Sequence, residues 1–162
     1  MRQSGTLRDE ALQQMESAVN GTAQKLKVSV EFVEAKAADD LEAAFETIAQ
    51  QRADGLIVLV SPMLNTEAKR ITGLATKRRL PAIYEWRTFV AAGGAISYGA
   101  DLSDICRRAA AYVDKILKGA TAASLLVEHP TKLELVIDLN HAKDIGMVIP
   151  ESVLQRADQV LR

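Results

Sequence analysis

Alternating apolar and polar positions divide the first part of the chain into helices and strands. Apolar residues at helical spacing predict a helix from Leu7 to about Lys25 and a second helix that ends at Arg52. Between them, the alternation over Lys27–Val33 predicts a strand near the edge of a sheet. The uninterrupted apolar run Leu56–Val60 is typical of a central parallel strand that is covered on both faces.

The rest of the chain continues this succession of short strands and helices. Strands and helices that alternate through short connections predict a right-handed, doubly wound, mainly parallel sheet, that is, a three-layer αβα fold in one α/β domain over residues 1–162. The later predicted elements are a helix from Asn65 or Thr66 to Lys77, a strand over Leu80–Tyr84, a helix capped by Asp101 or Ser103 that runs to Lys118, extended segments over Leu125–Val127 and Leu133–Ile137, a short helix capped by Asn140, and a last helix over Glu151–Leu161.

Two of the predicted strands are followed directly by residues that can contact a ligand. Tyr84 and Glu85 end one strand, and Ser61, Pro62 and Met63 follow the apolar run. Open α/β sheets bind ligands at the carboxyl ends of their strands. We expect the tyrosine ring to stack on a solute, Glu85 to receive an amine and Ser61 to donate to a carboxylate. The alternatives are a tyrosine that covers the core, a solvated glutamate, and a helix N-cap with its turn.

A second group of candidate ligand-binding residues lies in a segment bounded by glycines. Ser97 and Tyr98 stand between Gly94 and Gly99, which allow close approach of another backbone. A hinge or pocket-wall role and plain turn chemistry are both open for this segment. Asp101 is expected to cap the following helix, with a ligand contact as the alternative.

Composition and charge exclude several other functions. The net charge is −1, from 20 basic and 21 acidic residues that are interspersed, so no basic face for nucleic acid is expected. The lone Cys106 rules out an internal disulfide and is expected to be a small buried residue. His129 and His141 have no partners at metal-ligand spacing. No catalytic triad is visible, so we expect neither an enzyme nor a cofactor. The segment Met1–Thr6 lacks the apolar core of a secretory signal.

Short motifs follow one another in a fixed order along the second half of the chain. They are Glu85 with Gly93–Gly99, Arg107–Gly119, Pro130–Lys132, Leu135–Ile137, Ala142-Lys143, Gly146, Ile149-Pro150 and Arg156–Asp158. Together they resemble the ABC-transporter substrate-binding protein family, of the type I periplasmic-binding fold. The resemblance covers residues 7 to 162 and only the C-terminal half of the family's pattern.

This resemblance implies one lobe of a two-lobed receptor that binds a small polar or amino-acid-like solute and delivers it to an ABC permease. Family members are periplasmic or lipid-anchored outside the cytoplasm. No signal peptide is visible in this chain, which leaves a cytoplasmic location open for it. A ligand-responsive sensor or protein-interaction module on the same lobe is the alternative function. A flavodoxin-like enzyme domain is a weaker one, because it would need a phosphate-binding loop after its first strand.

The resemblance also predicts surfaces that this chain alone leaves uncovered. Residues 94–140 would include hinge and crossover segments that pack on an N-terminal lobe. The apolar face of the helix Asp101–Lys118 would then be exposed, and the strand Leu56–Val60 would have an unpaired edge. We therefore expect a homodimer or a swapped assembly that covers these surfaces.

Overall fold

The computed structural model describes residues 6–59 and 61–162 of the chain. The chain falls into two compact units, one that ends at Glu34 and one that comprises Ala35–Arg162. The single domain expected over residues 1–162 stays a prediction.

The first unit contains one long helix and the chain that follows it. Helix α1 (Thr6–Leu26) confirms the first predicted helix. Lys27 then turns the chain with a positive φ of 57°. The strand predicted over Lys27–Val33 is wrong, because no residue from 28 to 33 joins the described sheet. Alternating apolar residues mark two faces, but a strand forms only where a second backbone pairs with it.

The second unit consists of short strands and the helices that connect them. Its described strands are β1 (Leu56–Val58), β2 (Ala82–Tyr84), β3 (Ile96–Ala100), β4 (Leu133–Asp138) and β5 (Gln159–Leu161). Its α-helices are α2 (Leu41–Gln50), α3 (Pro62–Thr66), α4 (Ala68–Lys77), α5 (Arg87–Ala91), α6 (Leu102–Leu117), α7 (Leu139–Asp144) and α8 (Glu151–Leu154). Short 3₁₀ turns lie at Ala38–Asp40 and Ala122–Ser124.

The described strands form one sheet in the order β1-β2-β3-β4-β5. β1, β2 and β3 are parallel, β4 runs antiparallel to β3, and β5 is parallel to β4. Helices α3 and α4 connect β1 to β2, and α5 connects β2 to β3, as parallel neighbours require. The predicted α/β class with a mainly parallel sheet is confirmed. The antiparallel pair β3–β4 is the part of the topology that the succession of elements did not reveal.

The apolar run Leu56–Val60 was predicted to be a central strand, and this prediction is wrong for the described sheet. β1 comprises only Leu56–Val58 and stands first in the strand order, so one of its sides is an edge. Ile57 is 68% exposed, so one face of β1 is open at this residue. Val60 lies outside the described residues. An uninterrupted apolar run indicates that both faces of a strand are covered. It does not specify whether other strands pair on both of its sides.

The core lies between the sheet and its helices. Helix α2 contributes Leu41, Phe45 and Ile48, as its apolar spacing predicts, and α4 contributes Ile71. Ile137 in β4 is fully buried. Complete burial of such an aliphatic side chain stabilises a fold by about 1.5–3 kcal/mol.

Two elements near the C-terminus differ from their predictions. Asp138, not Asn140, caps α7, since its Oδ1 accepts hydrogen bonds from the amides of Asn140 and His141 at 2.9 and 3.1 Å. The last helix ends at Leu154, and the last three residues of the predicted helix, Gln159–Leu161, form β5 instead. The amide and the carboxylate of Asp158 both bond to the backbone of Leu135, which holds β5 beside β4. Pairing with β4 thus decides the conformation of the C-terminal residues.

Helix α6 begins directly after Asp101, as predicted, but none of its side chains is buried. Apolar residues of α6 are exposed to solvent: Val113 is 55% exposed and Leu117 is 82% exposed. Cys106 is exposed as well, so its predicted burial is wrong. Polar contacts join α6 to the following segment: Tyr112 Oη donates to the carbonyl of Leu126 at 2.6 Å. Among the described helices, none is long and apolar enough to cross a membrane.

Candidate ligand-binding edge of the sheet

All five described strands present an end at one edge of the sheet. The parallel strands β1, β2 and β3 end there, and the reversed strands β4 and β5 begin there. Ser61, Glu85 and Asp101 follow strands and therefore stand at the same edge as Glu134, near the start of β4, and Gln159, the first residue of β5. Ligands of open α/β sheets bind at such an edge.

Ser61 starts the helix that follows β1. Its backbone is extended (φ −149°, ψ 150°), and its Oγ accepts a hydrogen bond from the amide of Leu64 at 3.1 Å. Pro62 occupies the first helical position, so the helix begins there and not at Asn65 as predicted. Pro62 is exposed and Met63 is half-buried. The Ser61 hydroxyl proton is not used by this cap and remains a donor for a ligand.

Tyr84 and Ser97 lie beneath the edge and not on it. The two residues are paired neighbours in β2 and β3, and they are only 2% and 1% exposed. The Tyr84 ring stacks on Phe89 with ring centroids 4.8 Å apart. Burial raises the pKa of Tyr84 to about 12, so its hydroxyl is neutral. Either side chain would have to leave the core to touch a solute.

Glu85 leaves β2 by crossing close over β3 at Gly99. A methyl carbon at position 99 would lie 2.7 Å from Glu85 Cγ and 3.0 Å from its carbonyl carbon. Only a glycine leaves room for this crossing. The close contact with Gly99 thereby determines how near the half-buried Glu85 lies to β3 at this edge.

Tyr98 belongs to the opposite face of β3 from Ser97. It pairs with Leu135 of β4, and it is 47% exposed. Successive residues in a strand point to opposite faces, which explains why one residue of this pair is buried and its neighbour is open. Tyr98 is thus the exposed aromatic residue among the predicted site residues.

Asp101 makes several structural contacts where β3 passes into α6. Its Oδ1 accepts from the amides of Ser103 and Asp104 at 2.9 and 3.2 Å, which confirms the predicted cap. Its Oδ2 accepts from Lys132 Nζ at 2.6 Å, and the amide of Asp101 donates to the Lys132 carbonyl at 3.0 Å. The hydrogen bond from Lys132 is the main cause that lowers the pKa of Asp101, and Asp101 in turn raises the pKa of Lys132. The carboxylate is therefore charged and engaged within the fold.

The edge also holds polar side chains that the sequence did not single out. Arg87 Nη1 lies 3.2 Å from Glu134 Oε1, and Arg87 Nη2 lies 3.0 Å from Gln159 Oε1. Thr88 Oγ1 donates to Asn65 Oδ1 at 3.0 Å, which joins α5 to α3. These contacts connect separate strands and helices, so no local motif marks them.

Hydroxyl, carboxylate and guanidinium groups thus stand at one edge, and the Tyr98 phenol lies on the other face of β3. They can hold a small polar molecule by hydrogen bonds and charge. Within the described part of the chain, no group of three or more His, Cys, Asp or Glu side chains is arranged to hold a metal ion.

Comparison with known proteins decides the family. The family model for ABC transporter substrate binding proteins matches residues 8–161, almost the whole chain. The chain belongs to this family. A comparison with curated protein sequences finds no match.

Three solved structures are similar in fold. A conserved domain protein from Vibrio cholerae O1 biovar El Tor is 27% identical with a TM-score of 0.83; the match covers 93% of this chain and 50% of that protein. An ABC domain from Streptococcus pneumoniae, solved in complex with L-Trp, is 24% identical with a TM-score of 0.82; the match covers 94% and 51% of the two chains.

A more distant structure is the ligand-free, open form of a substrate-binding protein with adhesive properties from Clostridium difficile. It is 16% identical with a TM-score of 0.64, and the match covers 93% of this chain and 50% of that one. The chain thus spans about half the length of the structures that it matches. The expected α/β fold and the family resemblance are confirmed.

Proposed function

We propose that this chain is a solute-binding lobe of an ABC-type uptake system. The observation that carries the proposal is that Ser61, Glu85 and Arg87 follow strands at the carboxyl edge of a sheet whose chain belongs to a substrate-binding family. The lobe forms one wall of the site, and it binds its solute without covalent chemistry.

The solute is a small polar or amino-acid-like molecule. Glu85 provides a carboxylate for an ammonium group, Ser61 a hydroxyl donor and Tyr98 an exposed ring for an apolar or aromatic part. The ABC domain of Streptococcus pneumoniae was solved with L-Trp, a molecule that combines these features. Tyr84 and Ser97 support the site from the core, and Pro62, Met63 and Asp101 shape its rim through the helices that they begin or cap.

The transport context follows from the family. We infer that the lobe works outside the cytoplasm, either in the periplasm or anchored by lipid, and that it passes the solute to an ABC permease. A second wall is needed to enclose the solute, because one edge of a sheet leaves it open to water on the other side.

The exposed apolar face of α6 favours a homodimer or a swapped assembly in which a second copy covers it. Val113 and Ile116 are 55% and 47% exposed on this helix, and a monomeric soluble protein rarely leaves a large apolar patch open. The same face supports the second candidate function, a ligand-responsive sensor or protein-interaction module. A binding measurement distinguishes the two functions, because only the first requires a solute to bind at the carboxyl edge.

Isothermal titration calorimetry with a panel of amino acids at millimolar concentrations, L-tryptophan included, tests the proposed function. We expect saturable binding that Glu85→Gln weakens by about tenfold, because the lost carboxylate made a charge-assisted hydrogen bond. Asp54→Asn is the matched control, since Asp54 is an exposed carboxylate that precedes β1 at the other edge of the sheet. Equal losses in both variants, or no binding by any member of the panel, would contradict the proposal.

A further inference from the structure

Arg87 joins three separate parts of the chain at the carboxyl edge. It is the first residue of α5, and its two terminal nitrogens bond to Glu134 of β4 and Gln159 of β5 at 3.2 and 3.0 Å. The Arg87 side chain is 56% exposed, whereas that of Glu134 is only 19% exposed. The carboxylate is therefore set into the sheet, and the guanidinium lies on its surface.

The contacts of Arg87 leave most of its binding capacity unused. Each terminal nitrogen of Arg87 bonds to a different residue. Neither contact is therefore bidentate, with two guanidinium N–H groups donating to both oxygens of one carboxylate. The exposed guanidinium is well solvated when it leaves Glu134, so the pair contributes less to stability than a fully buried pair would. A solute carboxylate that takes over the guanidinium must therefore offset the contact that the partly buried Glu134 loses.

Charges of both signs surround the same backbone position. Glu85 crosses over Gly99, and Glu134 is the residue that pairs with Gly99 in the β3–β4 ladder. Paired residues of antiparallel strands lie on the same face, so both glutamates flank Gly99. These two carboxylates attract an ammonium group and repel an anionic group. An anionic group can bind beside them only if a positive charge lies close by. Arg87 is positioned to supply that cation.

We propose that Arg87 binds the carboxylate of the solute, and that Glu134 and Gln159 hold its guanidinium in place until the solute arrives. This assignment rests on the proposed function of the edge as a solute site. It narrows the solute to molecules that carry a carboxylate, and together with Glu85 it selects zwitterions. Glu134 then acts as an internal competitor for the same guanidinium.

A purely structural role for Arg87 leads to the opposite expectation for one variant. If Arg87 only ties α5 to β4 and β5, Glu134→Gln loosens the edge and weakens any binding there. If Glu134 competes with the solute, the same substitution removes the competitor and strengthens carboxylate binding. The amide of glutamine still accepts a hydrogen bond, which keeps the shape of the contact.

The test is an NMR titration of the arginine side-chain Nε–H resonances with acetate, and with acetamide as the uncharged analogue, at constant ionic strength. Arg87→Lys assigns the resonance. We expect a saturable shift of Arg87 with acetate but not with acetamide, and a several-fold lower midpoint in Glu134→Gln. Arg107 is the internal control, because it is an exposed arginine in a 3.0 Å pair with Asp104 on α6. A response of Arg87 equal to that of Arg107, or an unchanged or higher midpoint in Glu134→Gln, would overturn the assignment.

This titration needs no knowledge of the natural solute, so it separates the two proposals. Failure of the amino-acid panel refutes the proposed function, while failure of the acetate titration refutes the role of Arg87. For a panel member that binds, L-tryptophan against L-tryptophanamide provides a second readout. We expect Arg87→Gln to weaken the acid by at least about tenfold and to leave the amide nearly unchanged. An equal loss for both compounds would favour the structural role.

Discussion

Gly99→Ala tests whether the close packing of Glu85 on Gly99, where the chain leaves β2 and crosses over β3, shapes the candidate site. The added methyl carbon would lie 3.0 Å from the Glu85 carbonyl carbon, closer to the Glu85 carbonyl oxygen, and 2.7 Å from Glu85 Cγ, where ordinary contacts begin at 3.4 Å. Backbone atoms have to move, because a rotation of the Glu85 side chain relieves only the contact with Cγ. Overpacking of this kind costs about 1–3 kcal/mol. This is a sizeable part of the roughly 5–15 kcal/mol that a domain has.

Urea denaturation followed by circular dichroism measures this loss. Gly73→Ala is the control, since a methyl group at Gly73 in α4 meets nothing within 4 Å. We expect that control to gain roughly 0.5–1 kcal/mol, because alanine favours a helix over glycine. Gly99→Ala should also weaken any solute binding, since Glu85 is displaced. A Gly99→Ala protein as stable as the unaltered chain would refute the reasoning about the crossing.

Three further predictions concern the caps and the open helix. Ser61→Ala removes the N-cap of α3 and should lower the free energy of unfolding by about 1 kcal/mol; an unchanged denaturation midpoint would show that the cap is dispensable. The pKa of Asp101 is lower in the folded state than in the unfolded chain. Its charge therefore stabilises the fold fully at a pH above the unfolded-state pKa. This stabilisation is lost as the pH falls through the folded-state pKa. The stability difference between the unaltered chain and Asp101→Asn, which keeps a capping oxygen, should therefore shrink in acid, and a pH-independent difference would contradict the pairing with Lys132. Val113→Glu and Ile116→Glu on the exposed face of α6 should shift a homodimer to monomer in sedimentation equilibrium; a dimer that persists in both variants would place the interface elsewhere.

The sequence predicts elements whose signals are local. Asp101 caps α6, and Gly119 with its positive φ of 100° follows the helix, so both ends of α6 were predicted closely. The unpaired side of β1 was expected from the family resemblance and not from the apolar pattern, and the C-terminal strand was not predicted, because both depend on which backbone lies alongside. Val160 fits the spacing of a helix, yet its pairing with Ile137 makes it part of β5.

The same distinction applies to the candidate site. Ser61 and Glu85 could be proposed from the sequence because each directly follows a predicted apolar strand. Arg87 could not, since its partners Glu134 and Gln159 are 47 and 72 positions away in the sequence. Only the order of the strands brings these three side chains together. Burial of Tyr84 was one of two open alternatives, and the sequence could not decide between them because the ring of Phe89 that stacks on it belongs to the next helix.

The most direct measurement is a map of backbone amide shifts during titration with the amino-acid panel. One wall of a site supplies about half the contacts, so a receptor affinity near ~1 μM would leave millimolar binding, which this method detects. We expect saturable shifts centred on Ser61, Glu85 to Thr88, and Tyr98. Saturable shifts confined to α6, or no saturable shift with any compound, would contradict a solute site at the carboxyl edge.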